Sequence, residues 1–124
     1  MNIFITTATI FGATAIVFGA FGAHALKKIF NQEQLKNFET GVKYQMYHAL
    51  LLLIIGFNTN YITKYQTLIY YTITLGVLLF SFSIYLLCIS SALNKKIKIL
   101  GPITPIGGLL LIVGWFLLFL NAIN

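Results

Sequence analysis

The chain has 124 residues, the length of one domain, with 59% hydrophobic residues and only 8% charged. A soluble domain carries about 25% charged residues, so an ordinary water-soluble fold is excluded. The net charge of +6 would suggest a nucleic-acid partner in a soluble protein. Here the lysines cluster at Lys27 to Lys43 and Lys95 to Lys98, beside long uncharged segments. Orientation in a membrane and anionic headgroups account for that pattern, and no nucleic acid is implied.

The first segment, residues 3–26, carries no charge and is long enough to cross a hydrocarbon core of about 30 Å. Ala23-His24-Ala25 has the small-x-small form of a signal-peptidase site. No Lys or Arg precedes it, however, and the apolar run exceeds a signal peptide's core, so a retained helix is expected. Ala8, Gly12, Ala15, Gly19 and Ala23 recur at spacings of three and four, a smooth stripe on which a second helix can pack closely.

Lys27 and Lys28 end that span. Asn31 followed by Gln34 reads as a capping box opening a second helix. Its first part, residues 31–43, is expected at the interface, with a Glu39–Lys43 pair and a bend at Gly41. From Tyr44 it turns apolar, giving a second span over residues 44–61. A polar turn with Tyr61, Tyr65 and Tyr70 near the headgroups leads to a third span, residues 66–90. After the second lysine cluster, Gly101-Pro102 breaks the chain. Thr104 is read as N-cap and Pro105 as the first helical residue of a fourth span, residues 103–123.

The expected fold is therefore all-α: an integral membrane four-helix bundle, antiparallel, with both lysine-rich loops cytoplasmic and both termini outside. Its environment is a lipid bilayer. The small-residue faces leave room for a homo-oligomer or a membrane-protein partner.

Polar residues collect in the lysine-rich half. His24 ends the first span; Gly41, Tyr44, Gln45 and His48 share one helical face; Ser81, Tyr85 and Cys88 line the third span; Thr104, Gly107 and Gly108 open the fourth. Polar groups in a bilayer face the bundle interior. His24, Tyr44, Gln45, His48, Ser81, Tyr85 and Thr104 are thus candidates either for one cytoplasm-facing ligand pocket or for hydrogen bonds that fix helix register. Gly12, Gly19, Ala23, Gly107, Gly108 and Gly114 are candidate helix-packing positions. Trp115, in mid-span, is expected to pack on the glycine-lined first helix, its indole N–H needing a partner.

Enzymatic chemistry finds little support. Glu33 and Glu39 are the only carboxylate side chains, arginine is absent, and Cys88 is the lone cysteine. Two histidines do not supply the three protein ligands of a catalytic zinc, and no cofactor is implied. Three readings remain: a non-enzymatic binding or assembly protein, a small-solute or proton carrier or channel, and a haem or quinone protein using His24 and His48.

Four stretches carry a family resemblance: Gly19-Ala20-Phe21-Gly22-Ala23-His24-Ala25-Leu26; Thr40-Gly41-x-x-Tyr44-Gln45-x-x-His48-Ala49; Leu79-Phe80-Ser81-x-Ser83-x-Tyr85; and Thr104-Pro105-Ile106-Gly107-Gly108 with Gly114-Trp115. Together they resemble the YgdD/YwdK-type small membrane proteins, a family of unknown function with a mitochondrial-type relative in eukaryotes. Phe82 departs from the pattern, standing where the family usually carries glycine. The resemblance implies a multi-pass bacterial plasma-membrane protein and no established reaction, ligand or catalytic residue.

Overall fold

The computed structural model describes the backbone of residues 1–124 and every side chain except that of Ala23. Among the described residues the chain forms four long helices and no strand: α1 (Ile3–Leu26), α2 (Gln32–Phe57), α3 (Lys64–Ala92) and α4 (Leu100–Ile123). By length and apolar composition α1, α3 and α4 can each cross a membrane. α2 has 26 residues, about 39 Å of helix, and runs antiparallel beside α1, its first half polar and its second apolar.

Local chemistry starts and stops these helices. The Asn2 side chain accepts from the Phe4 and Ile5 N–H groups, at 3.1 and 3.3 Å, and donates to the Gly56 carbonyl at 2.9 Å. One residue thus caps α1 and ties it to the far end of α2. The capping box expected at Asn31 and Gln34 opens α2, and a second, Thr63 with Gln66, opens α3. At the end of α3, Asn94 adopts φ 56°, and the Lys95 N–H donates to the Ser90 carbonyl at 2.8 Å, closing the helix as asparagine in the left-handed region can.

Three local expectations are corrected. The interfacial stretch and the second span are one helix, unbroken from Gln32 to Phe57, and Gly41 within it serves a close contact: a Cβ would lie 2.8 Å from Cε1 of Tyr85. α4 begins at Leu100, so Thr104 is no N-cap and Pro105 lies inside the helix. Pro102 already sits in the first turn, where its missing N–H costs nothing. Finally, α1 and α3 each widen to π geometry, over Val17–Gly22 and Leu78–Phe82, where regular α-helix was expected.

Packing is tight and uses glycine at close approaches. Ala8 and Ala15 of the α1 stripe are buried, and a Cβ on Gly19 would meet Val42 Cγ1 at 3.1 Å. Gly12 is looser, at 4.0 Å from Ala49. The Ala23 side chain, named with them, lies outside the described residues. On the other side, α4 is held chiefly by α3: Gly107, Leu111 and Gly114 are its buried residues, lying against Phe80, Gly76 and Ile73. Phe4, Leu52, Ile69, Ile73 and Val77 are fully buried and form an apolar core in the half away from the lysines.

Candidate functional site

Two polar groupings occupy the lysine-rich half, and they face different ways. The first is centred on Gln45, which is fully buried. Its amide nitrogen donates to the Phe11 carbonyl at 2.8 Å and to Thr14 Oγ1 at 2.7 Å, while its oxygen accepts from the Tyr85 hydroxyl at 2.7 Å. One amide thus links α1, α2 and α3, with both N–H groups donated and the oxygen accepting, as a buried polar group requires. Ser81 adds an α3-to-α2 bond by donating to the Gly41 carbonyl at 2.7 Å, and Ser83 shares a hydrogen bond of 2.6 Å with Thr104 of α4. The aromatic rings of Phe18, Phe38 and Phe82 surround Tyr85 at centroid distances of 4.9 to 5.5 Å.

The second grouping joins α2 to α4. The indole N–H of Trp115 donates to Nε2 of His48 at 3.1 Å. That nitrogen must therefore carry no proton, since indole only donates. Nδ1 then bears the hydrogen and donates to the Tyr44 carbonyl at 2.7 Å. His48 is neutral in this arrangement, with one defined tautomer and both nitrogens engaged. Tyr44 stacks near it and meets Phe80 edge-on at 5.1 Å.

Around this pair an open groove of about 580 Å³ runs between α2 and α4, with Phe80 of α3 at its base and Gly108, Leu109 and Ile112 along its α4 wall. His48 is 4% exposed while Trp115 is 52% exposed, so the ring pair forms a wall of the groove facing the bilayer.

The expected single cluster is accordingly divided. Gln45, Ser81 and Tyr85 join through the interior, Thr104 meets Ser83, and Tyr44 and His48 line the groove. Tyr44 and Gln45 are neighbours in sequence, about 100° apart around the helix, and so address different partners. His24 joins neither group: it is exposed at the end of α1 and takes part in no hydrogen bond among the described residues. The π turn directly before it is the reason, since an extra residue in a turn rotates everything beyond it by about 100° relative to α periodicity. Trp115 packs against His48 and not on α1, because α4 docks on α3. Sequence reasoning missed Thr14 as partner of Gln45, and the pairing of Trp115 with His48. The only available signal was that a mid-membrane indole N–H needs an acceptor.

Residues 18–108 match the family model described as "Protein of unknown function (DUF423)". That stretch contains Gln45, Ser81, Tyr85 and the π turn of α3, whereas Phe11 and Thr14, the α1 partners of Gln45, precede it. The chain is also 35% identical to "UPF0382 membrane protein YwdK" of Bacillus subtilis, covering 100% of this chain and 98% of that protein. It is 38% identical to "UPF0382 membrane protein SAB0533" of Staphylococcus aureus (97% and 94% covered) and 32% identical to a "UPF0382 membrane protein" of Haemophilus influenzae (92% and 88%). No solved structure matches. With membrane-length apolar helices on one side and bacterial relatives named membrane proteins on the other, the chain is a multi-pass helical protein of the bacterial plasma membrane and belongs to the DUF423 family.

Proposed function

We propose that this protein is a non-enzymatic binding protein that holds an apolar chain of a membrane molecule in the groove between α2 and α4. The observation that carries this reading is the Trp115–His48 bridge. It fixes two helices that are otherwise docked through α3, and it keeps an apolar groove of about 580 Å³ open beside it. Apolar pockets with few polar groups are the usual form of a small-molecule site.

The other readings have less support. A carrier needs a polar route, yet the half away from the lysines is filled by fully buried Phe4, Leu52, Ile69, Ile73 and Val77. Axial ligation of haem needs a free ring nitrogen, and both nitrogens of His48 are engaged. Self-assembly through the small-residue faces competes with contacts inside the chain, where Gly19 already meets α2 and Gly107 and Gly114 meet α3.

The test is native mass spectrometry after exchange into a delipidating detergent. Wild type should retain a lipid-sized adduct. Gly108→Leu should lose it with thermal stability unchanged, because a side chain at Gly108 enters the groove and its Cβ meets only the Phe80 ring, at 3.6 Å. Identical adducts on both proteins would overturn the reading.

A further inference from the structure

The groove does not end at Pro105. A cavity of about 380 Å³ shares Pro105 with it and is lined by Asn37, Thr40 and Thr104 together with Ile84, Leu87 and Cys88. A third, of about 220 Å³, shares Asn37 and Cys88 with the second and reaches Gln34, Ser91, Glu33 and Lys96. The three adjoin through these shared residues as one trough, the first two against α4 and the third between α2, the end of α3 and Lys96, and the lining changes along the way. Between Trp115 and Pro105 the walls are apolar over about 15 Å of helix, half of a hydrocarbon core of about 30 Å and so the depth of one leaflet. Beyond Pro105 the amide of Asn37 and the hydroxyls of Thr40 and Thr104 join Ile84, Leu87 and Cys88, and charge enters at Glu33 and Lys96 in the third cavity. Pro105 also has no N–H to return to the Gly101 carbonyl, so this wall offers a backbone acceptor at the point of change.

We infer that the trough binds one glycerophospholipid with an anionic glycerol headgroup, its phosphate at Lys96 and one acyl chain laid from Pro105 to Trp115. This rests on the binding reading of the groove given above and adds the chemistry of the ligand. Three observations carry it. The apolar part has the length of one leaflet. The amide of Asn37 and the hydroxyls of Thr40 and Thr104 enter the lining where that length ends. The lysine-rich end is strongly basic: Lys27, Lys28, Lys36, Lys43, Lys95, Lys96 and Lys98 lie there against Glu33 and Glu39. A phosphate diester is attracted to such a surface, and Lys96 is the lysine that lines the trough. Ser91 and Gln34 supply neutral hydrogen-bonding groups beside it, joined to one another at 3.3 Å. Glu33, on the same rim, can only accept, which suits the hydroxyls of a glycerol head and disfavours a second anionic group.

Trp115 is the only tryptophan and stands on the groove wall, so its emission reports on acyl chains in contact with that wall, and an excess for one headgroup over another at equal fraction reports selective occupancy. The protein is placed in nanodiscs of phosphatidylcholine containing a small mole fraction of one lipid with brominated acyl chains, which quench tryptophan on contact. Brominated phosphatidylglycerol should quench several-fold more than brominated phosphatidylcholine at the same fraction. Lys96→Gln should abolish that excess, and Lys98→Gln, outside the trough, should leave it. Equal quenching by both headgroups in wild type, or a larger excess for brominated phosphatidylethanolamine, overturns the headgroup assignment. Gly108→Leu separates the two readings. If it lowers quenching by every brominated lipid, the groove still binds a chain whatever the headgroup result; if it changes nothing, the groove reading itself fails.

Discussion

Gly107 and Phe80 meet backbone to backbone where α4 crosses the π turn of α3. A Cβ on Gly107 would lie 2.6 Å from the Leu79 carbonyl carbon and 2.8 Å from the Phe80 Cα, and would overlap the Phe80 nitrogen. Association in lipid depends on such close approach, because the hydrophobic effect gives helices no reason to prefer each other to acyl chains. Gly107→Ala should therefore destabilise the bundle by about 1–3 kcal/mol, the usual cost of overpacking. Gly108→Ala, one position along, meets only ring atoms at 3.6 Å and should stay within about 0.5 kcal/mol of wild type. Thermal unfolding in detergent compares the two. Equal melting temperatures would remove the backbone contact as a determinant of stability.

The helices, their approximate ends and their polar residues were legible because charge and hydropathy act over whole segments. Asn31 and Gln34 announced a helix start, and Gln45, Ser81 and Tyr85 announced a buried polar interior, because such groups must be satisfied in lipid. What was not legible depends on single-residue geometry. No residue pattern marks the π turns, yet the one at Val17–Gly22 redirects His24, and the one at Leu78–Phe82 provides the surface for Gly107. Gly56 and Gly76 looked unremarkable among leucines and isoleucines. Their role appears only beside Ile5 and Leu111, at 2.7 Å from a built Cβ. Phe82, the departure from the family pattern, packs edge-on to Phe18 and Tyr85 and so needs no glycine-like approach.

Gln45 should behave as a link whose loss is felt through its partners. Gln45→Leu leaves the Tyr85 hydroxyl and Thr14 Oγ1 without the amide, and an unsatisfied buried group costs about 1–3 kcal/mol. In a Tyr85→Phe background the same substitution should cost less, since the phenol no longer needs an acceptor. A double-mutant cycle in detergent measures the coupling, expected at about 0.6–2 kcal/mol for an interhelical hydrogen bond. Additive losses would mean that the two side chains do not share this bond in the membrane.

Orientation follows from the lysines. Seven lie at the end shared by the α1–α2 and α3–α4 connections, and Lys64 alone lies at the other end. Basic loops are retained in the cytoplasm. In a Cys88→Ser background, single cysteines at Asn31 and Lys96 should be shielded from an impermeant maleimide added to intact cells, and those at Asn2 and Asn60 should react. Labelling of Asn31 from outside would reverse the topology, and with it the leaflet whose lipids can reach the trough.

The bridge between Trp115 and His48 makes the last prediction. Because the indole donates to Nε2, what position 48 must supply is an acceptor at that point, and charge is not required. His48→Gln carries an amide oxygen able to accept, so the melting temperature and the Trp115 emission should stay close to wild type. His48→Leu carries none. Trp115 should then emit at shorter wavelength, having lost its polar partner, and the bundle should lose about 0.6–2 kcal/mol, the worth of one interhelical bond. Trp115→Phe added to His48→Leu should cost little more, since the donor left unpaired by the first change is removed by the second. If His48→Gln behaves like His48→Leu, the imidazole has a role beyond accepting this hydrogen bond, and the pair cannot be understood as a structural wall of the groove alone.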